Sequence, residues 1–520
     1  MNDKPPDTGC AAITEPPGEG QPTPVAVDVG KSAREGGAWS VISYAFSKVA
    51  GFASSIVLAR LLMPEHFGLI GMVNIVLGLA QMLGNCGIGF ALIHQRDDVD
   101  EYANTTWWLD LLSGVLLFSA ANLCAPLAAR YFHQSEQSIL PLLITVSSIN
   151  FLIMPIGGTM SALLTRDLRF RENTKIDLAG GLTTSVLTIA FALLGAGVWS
   201  FVIPTILSNI LVAALRWNAC SWRPRTRVQW RLGKKLVNFG WKMFGASVFD
   251  YLNQNADFIL VGAILGERQL GLYVFAYNLG LWIVQNVSTT ISAVAFPTFA
   301  SLQGDPARAK GMFLKLIRVI SLVGFPIVCI QWAVAPLYIG SVYGEKWLPS
   351  VMAFRLIAVY GIGRAVCAPG GTLISALGRP DISLKINAIV SPILITAIFI
   401  GSHYGIGGVA LATALAHGSF VWLYIVIPFR ILGWSPREAL ASMAPAFISS
   451  IAAAALTAYA YAALGSGTRS LGTLAVLVVF GTGCYVGINW LLFRKASVET
   501  LQLLRTTLRE SRGKDAAIIS

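Results

Sequence analysis

The sequence predicts an all-α polytopic membrane protein with about fourteen transmembrane helices, arranged as two six-helix lobes and two extra C-terminal helices. Of its 520 residues, 55% are hydrophobic and only 12% are charged, and the mean hydropathy is +0.65. Soluble domains carry about 25% charged residues. Apolar runs of bilayer length recur along the chain, and its two halves share short motifs in the same order. These three observations together indicate the fold class.

The membrane spans are predicted from the length of the apolar runs. A hydrocarbon core of about 30 Å requires roughly 20 apolar residues per helix, and internal Pro and Gly are tolerated there. On this basis we predict spans at 38–61, 67–93, 105–128, 138–163, 176–195, 198–215, 237–264, 270–297, 313–336, 349–376, 386–402, 406–429, 440–464 and 471–493.

The distribution of basic residues predicts the orientation. With both termini in the cytoplasm, the tails, the cytoplasmic loops and the adjoining start of span nine hold 29 of the 38 Lys and Arg, and the outer loops with the adjoining end of span one hold five. Such an excess on one side marks the cytoplasmic face. The most basic stretch, WRPRTRVQWRLGKK at 222–235, is therefore interpreted as a topogenic loop that also contacts anionic lipids. Nucleic acid is not an expected partner.

These assignments give the domain boundaries. The first 35 residues are rich in Pro, Gly and acidic residues and lack a signal-peptide pattern, and the last 25 residues read as a basic amphipathic helix on the inner surface. The predicted units are a disordered cytoplasmic tail (1–35), an N-lobe of spans one to six (36–215), a basic cytoplasmic loop (216–236), a C-lobe of spans seven to twelve (237–430), spans thirteen and fourteen (431–495) and a basic cytoplasmic tail (496–520).

An internal repeat relates the two lobes. LLMPEHFGL (61–69) matches ILGERQLGL (264–272), which pairs Gly68 with Gly271. GTMSALLTR (158–166) matches GTLISALGR (371–379), and Gly-Val pairs open spans six and twelve. Because six spans are an even number, the lobes repeat in parallel, and lobes of this kind hold substrate between them and alternate access by rocking.

Charged and amide residues inside the spans are the candidate site residues. Intramembrane charges are costly and face a cavity or a partner, whereas basic residues near span ends can snorkel to the interface. Lys48 and Arg364 lie deep enough to favour a cavity role, and their alternative is a structural pair with Asp250 or Asp257. The amides could bind sugar hydroxyls or join helices. The candidate substrate-binding residues are Lys48, Arg364, Lys242, Arg355, Asn74, Gln81, Asn278 and Gln285, and those for ion coupling or charge pairing are Asp250 and Asp257.

One long motif carries a family resemblance. DFILVGAILGERQLGLYVFAYNL (257–279) resembles the seventh-to-eighth span signature of bacterial polysaccharide exporters, in which an Asp precedes an apolar run, then Leu-Gly, Leu-Gly-x-Tyr and an Ala. ARLLMPEHFGL (59–69), ALLTRDLRFRE (162–172) and EKWLPSVMAFRLIA (345–358) resemble further blocks. The group is the Wzx-type, colanic- and teichuronic-acid exporter-like branch of the multidrug/oligosaccharidyl-lipid/polysaccharide exporter superfamily.

The resemblance implies a flippase in the bacterial inner membrane. Its substrate would be an undecaprenyl-diphosphate-linked oligosaccharide repeat unit, carried from the inner to the outer leaflet for exopolysaccharide or lipopolysaccharide synthesis. Other polysaccharide assembly proteins are expected partners, and a proton or sodium gradient is the expected energy source. No ATP-binding GxxxxGK[ST] motif and no metal-ligand spacing occurs in the sequence, so no cofactor is expected.

Two other function classes stay open at this stage. A multidrug or metabolite exporter could use the same fold, although two deep basic residues disfavour cationic drugs. A membrane-bound glycan polymerase is less favoured, because sugar transfer needs paired carboxylates or a loop domain that positions a donor. The short outer loops provide neither.

Overall fold

The computed structural model describes residues 48–84, 99–133, 138–167, 169–226, 230–302, 305–464 and 470–494, without the side chains of 83–84, 99, 230–250, 283–294, 296–297, 300 and 380. Both predicted tails lie outside these ranges. Within them helix is the only regular secondary structure, which confirms the all-α membrane fold class. The helices are α1 (48–61), α2 (Pro64–Gly84), α3 (Val99–Tyr131), α4 (Leu140–Ser148), α5 (Asn150–Arg166), α6 (Phe170–Leu193), α7 (Trp199–Ala219), α8 (Trp230–Ser301), α9 (Pro306–Tyr338), α10 (Val351–Ala376), α11 (Pro380–Ser402), α12 (Gly405–Val421), α13 (Leu423–Ile431), α14 (Pro436–Ala463) and α15 (Leu471–Leu492).

The predicted number of membrane spans can be compared with the helices of the described residues. Twelve helical stretches of the described residues are long and apolar enough to cross a membrane, so the count of fourteen is not confirmed. One of the twelve, Tyr251–Trp282, contains a break at Gly266, where φ is 81° and ψ is 180°. This conformation requires a glycine. The break divides α8 into two helices, α8a (230–265) and α8b (267–301).

Helix packing is described here within the lobes as the sequence predicts them. In the N-lobe α6 packs on α7, and α3 packs on α4 and α5. In the C-lobe α11 packs on α12, and α10 packs on α8, α9 and α12. The last two helices, α14 and α15, pack on each other and on α9. The lobes meet where α2 lies along α8, so the contact between them is made by helices related by the repeat.

The largest apolar core joins the two lobes. It contains Met72 of α2, Tyr273 of α8b and Phe354 of α10, each fully buried, together with Trp347 from the short 3₁₀ segment Glu345–Ser350. Large apolar side chains cover the outward-facing surfaces instead; Leu123 of α3, for example, is 75% exposed. Helices that are apolar on both faces are suited to a lipid surrounding. The protein is therefore a multi-pass membrane protein.

Candidate functional site

A cavity of about 280 Å³ that has charged and amide side chains in its lining lies within the C-lobe; we call it the C-lobe cavity. Its described walls come from α8, α10, α11, α12 and α13, and among the residues that the structure describes none of those in the lining belongs to the N-lobe. Two of the predicted charged residues, Asp257 of α8a and Arg364 of α10, face this space together. The cavity therefore joins a carboxylate, a guanidinium and several amides inside a membrane-embedded bundle.

Asp257 joins the two segments of the broken helix. Its carboxylate is 5% exposed and accepts a hydrogen bond from the Tyr273 hydroxyl at 2.9 Å and another from the Phe258 backbone N–H at 2.9 Å. Tyr273 lies in α8b, on the other side of the break at Gly266, and is fully buried. Because buried polar groups are costly when unpaired, this hydrogen bond fixes how α8a and α8b pack against each other.

Arg364 is accessible inside the cavity. Its guanidinium interacts with the hydroxyls of Tyr360, one turn earlier on α10, and of Tyr277 on α8b. The His417 ring of α12 lies over Tyr360, with centroids 4.8 Å apart. Among the described residues Arg364 forms no ion pair, with Asp257 or with any other carboxylate. The predicted structural pair of these two residues is thus not formed in this conformation.

Amide groups complete the polar lining. Asn253 of α8a has a buried Oδ1 without a hydrogen-bond partner among the described residues. Asn387 of α11 accepts a hydrogen bond from the Tyr424 hydroxyl at 3.3 Å. None of Asn387, Tyr277 and Tyr360 was among the candidate residues predicted from the sequence. The only sequence signal for the tyrosines was their spacing from Arg364 and within the α8b motif.

The remaining predicted basic residues do not line this cavity. Lys48 is exposed at the start of the described part of α1. The Arg355 guanidinium lies 4.5 Å from the centre of the Trp332 ring and donates from Nε to the Trp332 carbonyl at 2.9 Å. The side chains of Lys242 and Asp250 lie outside the described residues.

The predicted amide stripes are placed differently in each lobe. Asn74 and Gln81 are exposed on α2 and are not part of the C-lobe cavity, and the side chain of Gln285 lies outside the described residues. Asn278 of α8b lines a smaller space of about 170 Å³ between the lobes, which we call the interlobe cavity. Its other walls include Gly51, Phe52 and Ser55 of α1, Phe67 of α2, and Trp282 of α8b.

Lys48 lies close to the interlobe cavity along α1. It precedes Phe52 by four residues, a spacing at which helix side chains are neighbours. The Phe52 ring contacts Trp282 across the lobes, with centroids 4.6 Å apart. A cation, aromatic rings and an amide thus occur together at the junction of α1 and α8b.

One face of the molecule is closed by hydrogen bonds between the lobes. Arg60 at the end of α1 donates from Nε to the Val342 carbonyl at 2.7 Å and from Nη2 to the Ser341 carbonyl. In return Lys346 donates to the carbonyls of Arg60 and Leu62, at 2.8 and 2.7 Å. The buried Trp347 donates from Nε1 to the Ala59 carbonyl at 2.8 Å. We call Arg60, Lys346, Trp347 and their carbonyl partners the interlobe clasp.

A close approach of the lobes lies beside this clasp, at the two glycines that the repeat pairs. A Cβ atom on Gly68 would meet the Glu267 carbonyl oxygen at 1.8 Å, and one on Gly271 would meet the Pro64 carbonyl oxygen at 1.8 Å. An ion pair from Arg268 to Glu65, with Nε and Oε1 3.3 Å apart, flanks the crossing. Only glycine allows the two backbones to approach so closely.

Two lobes of apolar helices that are clasped at one face, with a cavity that holds charged and amide side chains, define the class of two-lobed membrane transporters. The chain belongs to the polysaccharide biosynthesis protein family, which it matches over residues 57–352. This confirms the resemblance to Wzx-type polysaccharide exporters.

Two sequence relatives have names consistent with this assignment, and one solved structure shares the fold. The chain is 28% identical to the teichuronic acid biosynthesis protein TuaB of Bacillus subtilis, over 78% of this chain and 84% of the relative. It is 27% identical to the lipopolysaccharide biosynthesis protein WzxC of Escherichia coli, over 78% and 83%. The lipid II flippase MurJ, solved in an inward closed conformation, shares the fold with a TM-score of 0.69, 14% identity, and coverage of 88% of this chain and 99% of MurJ.

Proposed function

We propose that the protein is a flippase that moves an undecaprenyl-diphosphate-linked oligosaccharide repeat unit from the inner to the outer leaflet of the bacterial inner membrane, for exopolysaccharide or lipopolysaccharide synthesis. The observation that carries the proposal is the C-lobe cavity, with its accessible guanidinium and its amides, inside a two-lobed fold that is closed at one face. Arg364 provides charge for an anionic substrate, and the amides of Asn253 and Asn387 provide donors and acceptors for hydroxyls.

Transport requires that the site open alternately to the two sides of the membrane. In this conformation the interlobe clasp seals one face, and we assign that face to the outer side, with both termini in the cytoplasm. The site is then reached from the inner leaflet. Rocking of the lobes breaks the clasp and exposes the substrate to the outer side. The lipid tail stays in the bilayer, since the outward-facing helix surfaces are apolar.

Asp257 is the residue that we propose for ion coupling. Its carboxylate is buried, and through Tyr273 it fixes the junction of α8a and α8b. Binding of a proton or a sodium ion changes the charge at this junction, and the packing of the two segments then differs between the loaded and unloaded states. A proton or sodium gradient could in this way bias the rocking of the lobes.

The remaining candidates take secondary roles in the proposal. Lys48 and Asn278 lie at the junction of the lobes, where the diphosphate of the substrate could bind while its lipid tail extends into the bilayer. The basic residues at 222–235 contact anionic lipid headgroups at the cytoplasmic surface. Polysaccharide assembly proteins receive the repeat unit on the outer side.

Deletion of the gene tests the proposal. The deletion strain is complemented with wild type, Arg364→Gln or the control Arg355→Gln, and each variant is checked for its amount in the membrane. We expect the deletion to abolish polymer while lipid-linked repeat units accumulate on the inner leaflet, and only Arg364→Gln to resemble the deletion. Unchanged polymer, or loss of polymer without accumulated repeat units, would refute the flippase. If the complemented strain were instead more resistant to cationic dyes than the deletion strain, a drug exporter would be favoured.

A further inference from the structure

A cavity of about 440 Å³ opens on the lipid-facing surface of the N-lobe, between α2 and α3; we call it the lateral pocket. It shares no described lining residue with the C-lobe cavity or the interlobe cavity. Its lining residues in the described part of the chain are Ile75, Val76, Leu79, Ala80 and Met82 of α2, Ala120, Ala121, Cys124, Leu127, Ala128 and Tyr131 of α3, Phe132 directly after α3, and Ile259 of α8a. Apart from the Tyr131 hydroxyl and the Cys124 thiol, these side chains have no hydrogen-bond donor.

The lateral pocket has the length of one leaflet of the bilayer. It extends along α3 from Ala120 to Tyr131, which is about 16 Å at a rise of about 1.5 Å per residue. The hydrocarbon core is about 30 Å thick, so one leaflet contributes about 15 Å. Arg130 and His133 are exposed beside Tyr131, which places this end of α3 at the level of the lipid headgroups. Because α2 begins at the interlobe clasp and α3 crosses back, this end lies on the side of the clasp.

The floor of the pocket is packed, whereas its mouth faces the bilayer. Val76, Ala121 and Phe132 are buried and belong to the apolar core that joins the lobes. Cys124 and Leu127 are exposed. An apolar space that stays empty is costly, because the side chains around it lose contacts on one side. At this depth the surrounding solvent consists of lipid chains, so a lipid chain is the molecule available to fill the pocket.

An ordinary phospholipid fits the lateral pocket better than the proposed substrate does. A phospholipid acyl chain spans one leaflet and begins at the headgroup level, as the pocket does from Tyr131 inward. An undecaprenyl chain is several times longer than an acyl chain, and most of it would remain outside a space of about 440 Å³. The cavities that we assign to the substrate also share no described wall with this pocket.

We propose that the lateral pocket is a binding site for one acyl chain of a phospholipid from the leaflet on the side of the interlobe clasp. The chain lies between α2 and α3 and contacts Ile259 of α8a, so that the bound lipid packs against both lobes. Its phosphate lies at the level of the exposed Arg130, and a basic residue at that depth attracts anionic headgroups. This site does not depend on which substrate the protein transports.

Two adjacent positions of α3 provide a matched pair of variants. Cys124 lines the pocket, whereas Leu123 is 75% exposed and does not line it. Cys124→Phe therefore fills the pocket, and Leu123→Phe adds a similar ring to the lipid-facing surface. Wild type and both variants are reconstituted into nanodiscs of phosphatidylethanolamine and phosphatidylglycerol that contain a small amount of a phospholipid with a photoreactive diazirine in one acyl chain.

The experiment measures where the lipid binds and how much of it is retained. Peptide mass spectrometry locates the photoadducts, and native mass spectrometry counts the lipids that stay bound after transfer to detergent. We expect adducts at 75–82 and 120–131, and one retained phospholipid for wild type and for Leu123→Phe. A phenyl ring displaces about three methylenes of the chain, and each buried methylene raises affinity about fourfold. Cys124→Phe should therefore retain about tenfold to fiftyfold less of this lipid.

Three results would overturn the phospholipid site. Equal retention by Cys124→Phe and Leu123→Phe would mean that only ordinary boundary lipid surrounds α3. A polyprenyl lipid in this place, identified by its mass in protein extracted from the cell membrane, would assign the pocket to the tail of the substrate. Wild type with neither a retained lipid nor adducts in the two segments would mean that protein fills the space, from this chain or from a second copy. None of these results bears on whether the protein is a flippase.

Discussion

The crossing of the lobes at Gly271 gives the most direct test of the closed conformation. In Gly271→Ala the new methyl would lie 1.8 Å from the Pro64 carbonyl oxygen, 2.7 Å from its carbon and 2.9 Å from the Gly68 nitrogen. Ordinary contacts between carbon and oxygen are about 3.3 Å or longer, so α2 and α8b must separate by roughly 1.5 Å. All three atoms belong to the backbone, and no side-chain rotation can relieve the contact.

The expected cost follows from the rigidity of this crossing. Overpacking a well-packed contact costs typically about 1–3 kcal/mol. A conformation in which the lobes separate at this face does not bear that cost. The equilibrium should therefore move toward it by about 5-fold to 150-fold, since about 1.4 kcal/mol corresponds to a factor of ten. Gly68→Ala should act in the same direction, because its methyl would meet the Glu267 carbonyl oxygen.

Distances between spin labels can measure the shift. Cysteines replace Leu194 and Tyr404, which are 82% and 80% exposed and lie in the corresponding turns of the two lobes, in a background without the native cysteines. We expect one short distance for the parent protein and an added longer distance for Gly271→Ala. Gly158→Ala is the matched control, because a Cβ atom there has nothing within 4 Å. Identical distance distributions in all three proteins would refute the tight crossing.

Three further predictions concern individual side chains. Trp347→Phe leaves the buried Ala59 carbonyl without its donor and should lower the stability of the purified protein by about 1–3 kcal/mol, seen as a lower thermal midpoint in detergent. Trp490→Phe, at an exposed position, is the control. Equal thermal midpoints for the two variants would contradict the role of the clasp. Asp257→Asn keeps the shape of the side chain but removes its charge. Transport into liposomes should therefore lose its dependence on an imposed proton or sodium gradient. A retained dependence on the gradient would exclude Asp257 as the coupling group. Arg355→Gln should keep export within about twofold of wild type, since exposed charge contacts contribute little, and a loss as large as that of Arg364→Gln would place Arg355 in the substrate path.

Hydropathy and charge were sufficient to predict the membrane fold and part of the site. Asp257 and Arg364 stood out in the sequence because charges inside apolar helices are rare, and the structure places both in one cavity. Tyr277, Tyr360 and Asn387 gave no comparable signal. Tyrosines in an apolar span look like ordinary core residues, and only the fold shows which of them face the guanidinium of Arg364.

The repeat contained more structural information than its short length suggested. The sequence paired Gly68 with Gly271, and in the structure these glycines lie at one crossing between the lobes. The break at Gly266 was not predicted, because a single glycine inside an apolar motif does not reveal its backbone conformation. The position of Arg355 against Trp332 could not be predicted from the sequence either, since it depends on how α9 packs beside α10.

The interlobe clasp was also absent from the sequence prediction, and the reason has an evolutionary consequence. Arg60, Lys346 and Trp347 all donate to main-chain carbonyls, which every residue type possesses. The acceptor positions 59, 62, 341 and 342 can therefore change their side chains without losing a hydrogen bond. Transporters with this fold can therefore change these side chains as they diversify for new glycans and still keep the hydrogen bonds of the clasp. Those hydrogen bonds depend on the path of the main chain and not on which side chains it carries.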